Sequence, residues 1–345
     1  MKKNKLIFCV AALTTLLITS CSKEELLEEK NVEDLVKSEV VSTARFSRSG
    51  ALYYGINGHP VNQRAYTDLR APAQVDILKK NAMNIYRVDL PVSSVTSIVN
   101  WENRLFDITN AAKAAGINIL PIIPSKTFDI NHSEKEAYWQ AYHYTLKFIK
   151  RYGAKFKYFE LGNEFDNDCI KSRLHVGNKK TDYDIPKFRT IASYLRGMNN
   201  AVKAVYPSAK TIINVSWLHY RFLTLLDEYG VKYDIAGYHW YQDQENTLKT
   251  DYGIDDITKL LNQKLTKPIW FTEVGYRNYS STNSEADAKR FLDSFIAKCK
   301  NNPQVQAVMI YEMLDQPYIS GQEGRFGIYK WITPYTQFTA KEYAK

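Results

Sequence analysis

From about residue 51 the chain settles into one alternation and keeps it to the end. Short runs rich in β-branched and aromatic residues, at 52–57, 84–90, 118–123, 158–163, 211–217, 235–241, 269–273 and 307–313, read as strands. Between them lie longer segments with apolar residues every three or four positions, the spacing of an amphipathic helix. Several have recognisable ends. Asn100 precedes Trp101, Leu105 and Ile108, with Gly116 as a stop, and Ser133-Glu134-Lys135-Glu136 is a capping box. Further helices are predicted over 186–206 and from Ser284 to about Lys300. Eight strand–helix units argue for an α/β chain closed into a (β/α)8 TIM barrel, a single domain over 49–345. An open doubly wound sheet would normally bring a glycine-rich phosphate-binding turn early on, and this chain has none.

The first residues break the pattern. Lys2, Lys3 and Lys5 precede an apolar run over 6–18 that is too short for a comfortable membrane span. Leu17-Ile18-Thr19-Ser20-Cys21 then resembles a bacterial lipoprotein box. The resemblance implies a signal peptide at 1–20, lipidation of Cys21 and a charged tether over 21–48. The partner is then a membrane, reached through the lipid on Cys21. Ser22-Lys23-Glu24-Glu25 is similar to the acidic export signal of surface lipoproteins in Bacteroidetes-type bacteria. The expected location is the bacterial envelope, at the outer membrane and exposed on the cell surface, with the protein a monomer. Cys169 and Cys299 remain; the barrel puts them at opposite ends, so two free thiols are expected.

Charge narrows the partners. The formal net charge is +9. The three signal lysines offset four basic and seven acidic residues in 22–45, so the excess belongs to 46–345. No cluster of basic residues interleaved with aromatics accompanies it, which argues against a nucleic-acid partner. A dispersed basic surface suits a polyanionic glycan or serves solubility alone.

The chemistry gathers at strand ends, where barrel enzymes place it. Glu164 follows strand four and Glu273 ends strand seven, and two such carboxylates are the minimum equipment for cleaving a glycosidic bond. Glu160 shares the parity of Glu164, so it is expected deeper in the barrel, paired with Arg87 of strand two. In strand seven Ile269, Phe271 and Glu273 share a parity, which would turn Trp270 outward. His239 and Tyr241 are expected to face inward from strand six, with the Tyr241 phenol close enough to hold a carboxylate ionised. Trp217 at the end of strand five is either a sugar-stacking platform or core. Asn57 and His59 after strand one and Tyr311 after strand eight complete the candidates for substrate contact. Three long loops, 165–185, 242–254 and 314–334, would rim the same face. The six histidines have no metal-ligand spacing, so no metal or redox cofactor is called for.

Gly162-Asn163-Glu164 together with Thr272-Glu273 resembles the signature of glycoside hydrolase clan A, the retaining (β/α)8 glycosidases such as families 5 and 39. The resemblance implies Glu164 as acid/base, Glu273 as nucleophile, and Asn163, Arg87, His239 and Tyr241 around them. The segment 311–317 with Phe326-Gly327-Ile328 is similar to the clan's strand-eight region. Three positions depart from the pattern. Phe165 stands where the clan has proline, Pro121-Ile122-Ile123-Pro124 replaces a histidine-bearing strand end of family 5 cellulases, and Tyr311 stands nearest the place of their tryptophan platform. The function implied is hydrolysis of β-linked polysaccharide or oligosaccharide by double displacement; surface attachment and the long rim loops favour an open cleft and endo action. The rivals are a non-catalytic, glycan-binding surface lipoprotein and a transglycosylase using the same carboxylate pair.

Overall fold

The computed structural model describes residues 48, 50–90, 101–172, 174–277, 285–321 and 323–344. The expected signal peptide, Cys21 and the expected tether up to residue 47 lie outside them, as do Asn100 and Ser284.

Eight parallel strands close into a barrel in sequence order. They are β1 (Tyr53–Gly58), β2 (Ile85–Asp89), β3 (Asn118–Ile123), β4 (Tyr158–Leu161), β5 (Lys210–Ser216), β6 (Ile235–Tyr241), β7 (Ile269–Gly275) and β8 (Val305–Ile310). The ring is sealed where β1 pairs with β8, Tyr53 opposite Ala307. Around it pack α1 (Ala71–Lys80), α2 (Trp101–Ala114), α3 (Glu134–Tyr152), α4 (Ile185–Val205), α5 (Tyr220–Glu228), α6 (Gln242–Tyr252), α7 (Ile257–Lys264) and α8 (Glu285–Asn301). The capping box is formed as read: Ser133 Oγ accepts from Glu136 N, and Glu136 Oε2 accepts from Ser133 N. Asp184 and Asp256 cap α4 and α7 by the side chain alone, accepting from Lys187 N and Thr258 N. The last unit departs from the alternation. Among the described residues no α-helix follows β8; after a short 3-10 turn at Glu323–Arg325 the chain returns as an antiparallel hairpin, β9 (Tyr329–Thr333) and β10 (Gln337–Ala340).

The core has two parts. A small inner cluster holds Ile85, Leu120, Ile212, Ile235, Trp270, Ala307 and Met309, with Tyr53 and Tyr158 against it. All eight strands contribute, so these side chains fill the barrel's interior. Trp270 therefore points inward, not outward as simple alternation had it, and Phe271 faces the helices, 4.9 Å from the Phe295 ring on α8. Strict alternation from Trp270 would then drive Glu273 outward. It does not, because Tyr238 pairs with Phe271 while the next residue, His239, pairs with Glu273. Thr272 is the extra residue of a β-bulge, and the bulge turns Glu273 back into the barrel mouth.

Cys169 and Cys299 are both buried and free. Burial pushes both thiols up, away from the reactive thiolate. In intact-mass analysis without reductant, neither cysteine is expected to alkylate in the native protein and both in denaturant; a mass that stays unshifted in denaturant would contradict two free thiols.

Candidate active site

The barrel mouth holds a cleft of about 290 Å³, lined by the ends of β1 to β4 together with Glu273 and Tyr311. Two larger depressions of about 440 Å³ lie on the flanks, one beside α1 and α2 and one between α6 and α8. Neither is lined by the strand-end carboxylates, so volume alone does not mark the site.

Arg87 organises the floor of the cleft. It is almost wholly buried, and its fork reaches four acceptors: Glu160 from Nε, Glu273 Oε1 (2.6 Å) and Asn57 Oδ1 (2.7 Å) from Nη1, and Asn163 Oδ1 (2.7 Å) from Nη2. Burial works against its charge, but Glu160 and Glu273 overcome this and raise its pKa above the ordinary value. Glu160 is fully buried and also accepts from Asn214 Nδ2 at 2.7 Å. The parity that placed Glu160 beneath Glu164 as a partner of Arg87 therefore held.

Glu273 accepts from Arg87 on one oxygen and from Tyr241 Oη, at 2.8 Å, on the other. Burial alone would raise its pKa. The charges of His239 and Arg87 and the two hydrogen bonds reverse that and hold it at about 2. Gly275 makes room for this: a Cβ there would come within 2.6 Å of the Tyr241 ring.

Glu164 lies just beyond β4 in a left-handed conformation, φ 48°, uncommon for a residue with a side chain. Asn214 on β5 holds it there, its Oδ1 accepting from Glu164 N at 2.7 Å. Gly162 beside it has φ 74°, and a Cβ would meet the Phe165 ring at 2.2 Å. Phe165 itself packs 4.8 Å from Phe128 and 5.8 Å from Tyr194, which accounts for an aromatic residue at this position. One oxygen of Glu164 lies 2.8 Å from His239 Nδ1, and its side chain remains 29% exposed.

His239 joins the two carboxylates. The same Nδ1 is 3.5 Å from Glu273 Oε2, and Nε2 is 3.1 Å from Thr272 Oγ1. Burial disfavours its proton, but the Glu273 charge and the Glu164 hydrogen bond raise its pKa. Since both carboxylates reach one nitrogen, these two oxygens are at most about 6.3 Å apart, below the roughly 6.5–9.5 Å spacing of inverting pairs.

The remaining candidates divide. His59 lines the cleft between Asp89 (2.8 Å) and Glu312 (3.0 Å). Although burial opposes its proton, these carboxylates push its pKa to about 10. Tyr311 lines the cleft, its ring edge-on to His59 and Phe326. Asn57 also lines it, but its amide is taken up by Arg87, Thr272 O and Ile310 O. Trp217 is not among the lining residues; it stacks on Trp240 at 5.9 Å. Two features escaped the sequence. Asn214 was signalled only as an amide in an apolar strand. Asp166 is fully buried and binds His219 Nδ1 at 2.6 Å and Ser216 N at 3.2 Å, tying the loop after β4 to the loop after β5.

Comparisons with known proteins bear on this geometry. The family model for glycosyl hydrolase family 53 matches residues 125–344, more than half of the chain. No curated protein matches significantly. Among solved structures the chain is similar to the family 1 β-glucosidase from Thermotoga maritima. With isofagomine lactam bound, that structure has a TM-score of 0.61 at 13% identity, covering 85% of this chain and 95% of that one. With noeuromycin the TM-score is 0.62 at 13% identity, covering 86% and 96%. At such identity the likeness is one of fold.

The depressed pKa of Glu273 carries a stability signature. Its folded value of about 2 lies below the unfolded value, so its stabilisation is complete above about pH 4.5 and is lost as pH falls through 2. In urea unfolding, the wild type is expected to lose about 2 kcal/mol relative to Glu273→Gln between pH 7 and pH 3. A difference that does not change with pH would contradict the ionised, hydrogen-bonded Glu273.

Proposed function

The chain belongs to glycosyl hydrolase family 53, within clan A, and is a glycosidase; from that premise we propose that it is a retaining, endo-acting hydrolase of β-linked polysaccharide, with Glu273 as nucleophile and Glu164 as acid/base. The observation that carries the assignment is the pair of carboxylates meeting at His239 Nδ1, one tightly held and ionised, the other partly open to solvent.

In the first step a Glu273 oxygen attacks the anomeric carbon as the glycosidic bond breaks, and Glu164 gives its proton to the departing oxygen. The product is a glycosyl ester on Glu273 and a free sugar hydroxyl. In the second step Glu164, now a carboxylate, takes a proton from water; the water oxygen attacks the anomeric carbon and Glu273 leaves, so configuration is retained. Arg87 and Tyr241 keep Glu273 ionised and aimed. Asn163 spends its carbonyl on Arg87, which leaves its Nδ2–H donors for a sugar hydroxyl. His239 orients Glu164. The exposure of Glu164 on the leaving-group side leaves room for a continuing chain, which supports endo action. The lipoprotein box adds a location: Cys21 would tether the enzyme to the bacterial outer membrane as a surface-exposed monomer, next to polymers outside the cell.

The test is hydrolysis of a glycan panel headed by β-1,4-galactan, with release of oligosaccharides rather than monosaccharide expected. Glu164→Ala should lower kcat/KM on the polymer by about 10²–10⁴-fold, with far less loss on aryl glycosides whose leaving group needs no proton. Glu273→Ala should abolish turnover of both; wild-type rates in that variant would overturn the assignment and favour a purely binding role.

A further inference from the structure

We infer that the base of the barrel, opposite the cleft, is a docking face for anionic lipid headgroups, which holds the enzyme with its cleft turned away from the membrane. The inference rests on the lipid-anchor proposal above but has its own observations.

The first is where the chain enters the domain. Arg48, the last residue of the expected tether, is fastened to the base by five hydrogen bonds. Nε donates to Val305 O, Nη1 to Lys300 O, and Nη2 to Cys299 O (2.9 Å), Asn302 O (2.7 Å) and Val305 O (2.8 Å). These carbonyls belong to the end of α8 and the start of β8, at the foot of the barrel. An anchor at Cys21 therefore pulls on the base, and the 27 residues over 21–47 reach no further than roughly 100 Å even when fully extended.

The second is charge. The last helical turns and the loops that lead into strands form the layer facing away from the cleft. Lys79, Lys80, Lys113, Lys150, Lys157 and Lys232 all stand exposed in it. None has an ion-pair partner among the described residues. Several acidic groups of the same layer are already neutralised, Asp227 by Lys267, Glu228 by Arg221, and Asp234 by Lys203 and Lys210, while Asp76 stands exposed one turn above Lys79 and Lys80. The cleft end is the reverse, with Asp89, Glu164, Glu273 and Glu312 close together. Lysines in last turns complement helix dipoles, but Lys157 and Lys232 lie outside any helix, and dipoles give no reason for the excess of lysines over free acids. A polybasic surface within a Debye length of anionic lipid is attracted to it, by about a fivefold gain in partitioning per lysine.

The test uses the full lipid-bearing chain with vesicles of phosphatidylcholine alone, or of an equal mixture with phosphatidylglycerol. Flotation is followed by amine labelling and peptide mass spectrometry. The chain should float with both vesicles. The six base lysines should be shielded severalfold on the mixed vesicles only, Lys126 near the cleft should label equally on both, and the shielding should vanish at about 1 M salt, where the Debye length is ~3 Å. A Lys79→Glu, Lys80→Glu, Lys157→Glu variant should lose it while keeping wild-type hydrolysis of soluble glycan. Flotation with both vesicles but identical labelling, whether all exposed or all covered by the acidic tether, overturns the docking face and leaves the anchor standing. Flotation with the mixed vesicles only overturns the anchor and supports the docking face. Flotation with neither overturns both.

Discussion

The site depends on one buried guanidinium. Arg87 rises from β2 into the middle of the barrel mouth, where it bridges Glu160 on β4 to Glu273 on β7 and also holds Asn57 and Asn163. Removing such a charge from water is costly, and so is each carboxylate beside it; the arrangement is tolerable only because every member has partners. Taking away any one would leave another buried and uncompensated. The network thereby fixes the relative positions of four strand ends, and that rigidity is what a nucleophile must have to meet an anomeric carbon in line.

Two local departures from regular geometry complete the site. The bulge at Thr272 rotates Glu273 from the helix-facing side of β7 into the cleft and presents Thr272 Oγ1 to His239. The left-handed backbone at Glu164 lifts that side chain off β4 onto the opposite edge of the pair. Both depend on neighbours. Asn214 receives the Glu164 N–H, and the Asp166–His219 pair ties the following loop to β5. His239 then contacts both carboxylates. A regular barrel would supply the strand ends but would not bring the two glutamates to one nitrogen.

Most of this framework was legible in the amino-acid order because it follows from period and parity. Eight apolar runs mark eight strands, and the shared parity of Glu160 and Glu164, four residues apart, fixes which carboxylate lies deeper and needs Arg87. Tyr241 beside Glu273 was read the same way. Parity failed where an extra residue enters: nothing in Ile269-Trp270-Phe271-Thr272-Glu273 announces the bulge, so Trp270 was assigned outward although it fills the interior. Phe165 gained its reason only from Phe128 and Tyr194, which come from distant parts of the chain. The hairpin that replaces a final helix, like the support from Asn214, reflects tertiary packing that local pattern does not encode.

The two ends of the barrel thus differ in charge: the mouth gathers carboxylates around Arg87, and lysines are spread across the base. The central claim is that Glu273 forms a covalent bond with the sugar. It is tested most directly by incubating the enzyme with a 2-deoxy-2-fluoro glycoside bearing a good leaving group, then sequencing the labelled peptide by mass spectrometry. The account predicts a glycosyl ester on Glu273 and on no other residue. An adduct on Glu160, Glu312 or Glu164, or turnover that inverts anomeric configuration without any adduct, would contradict it.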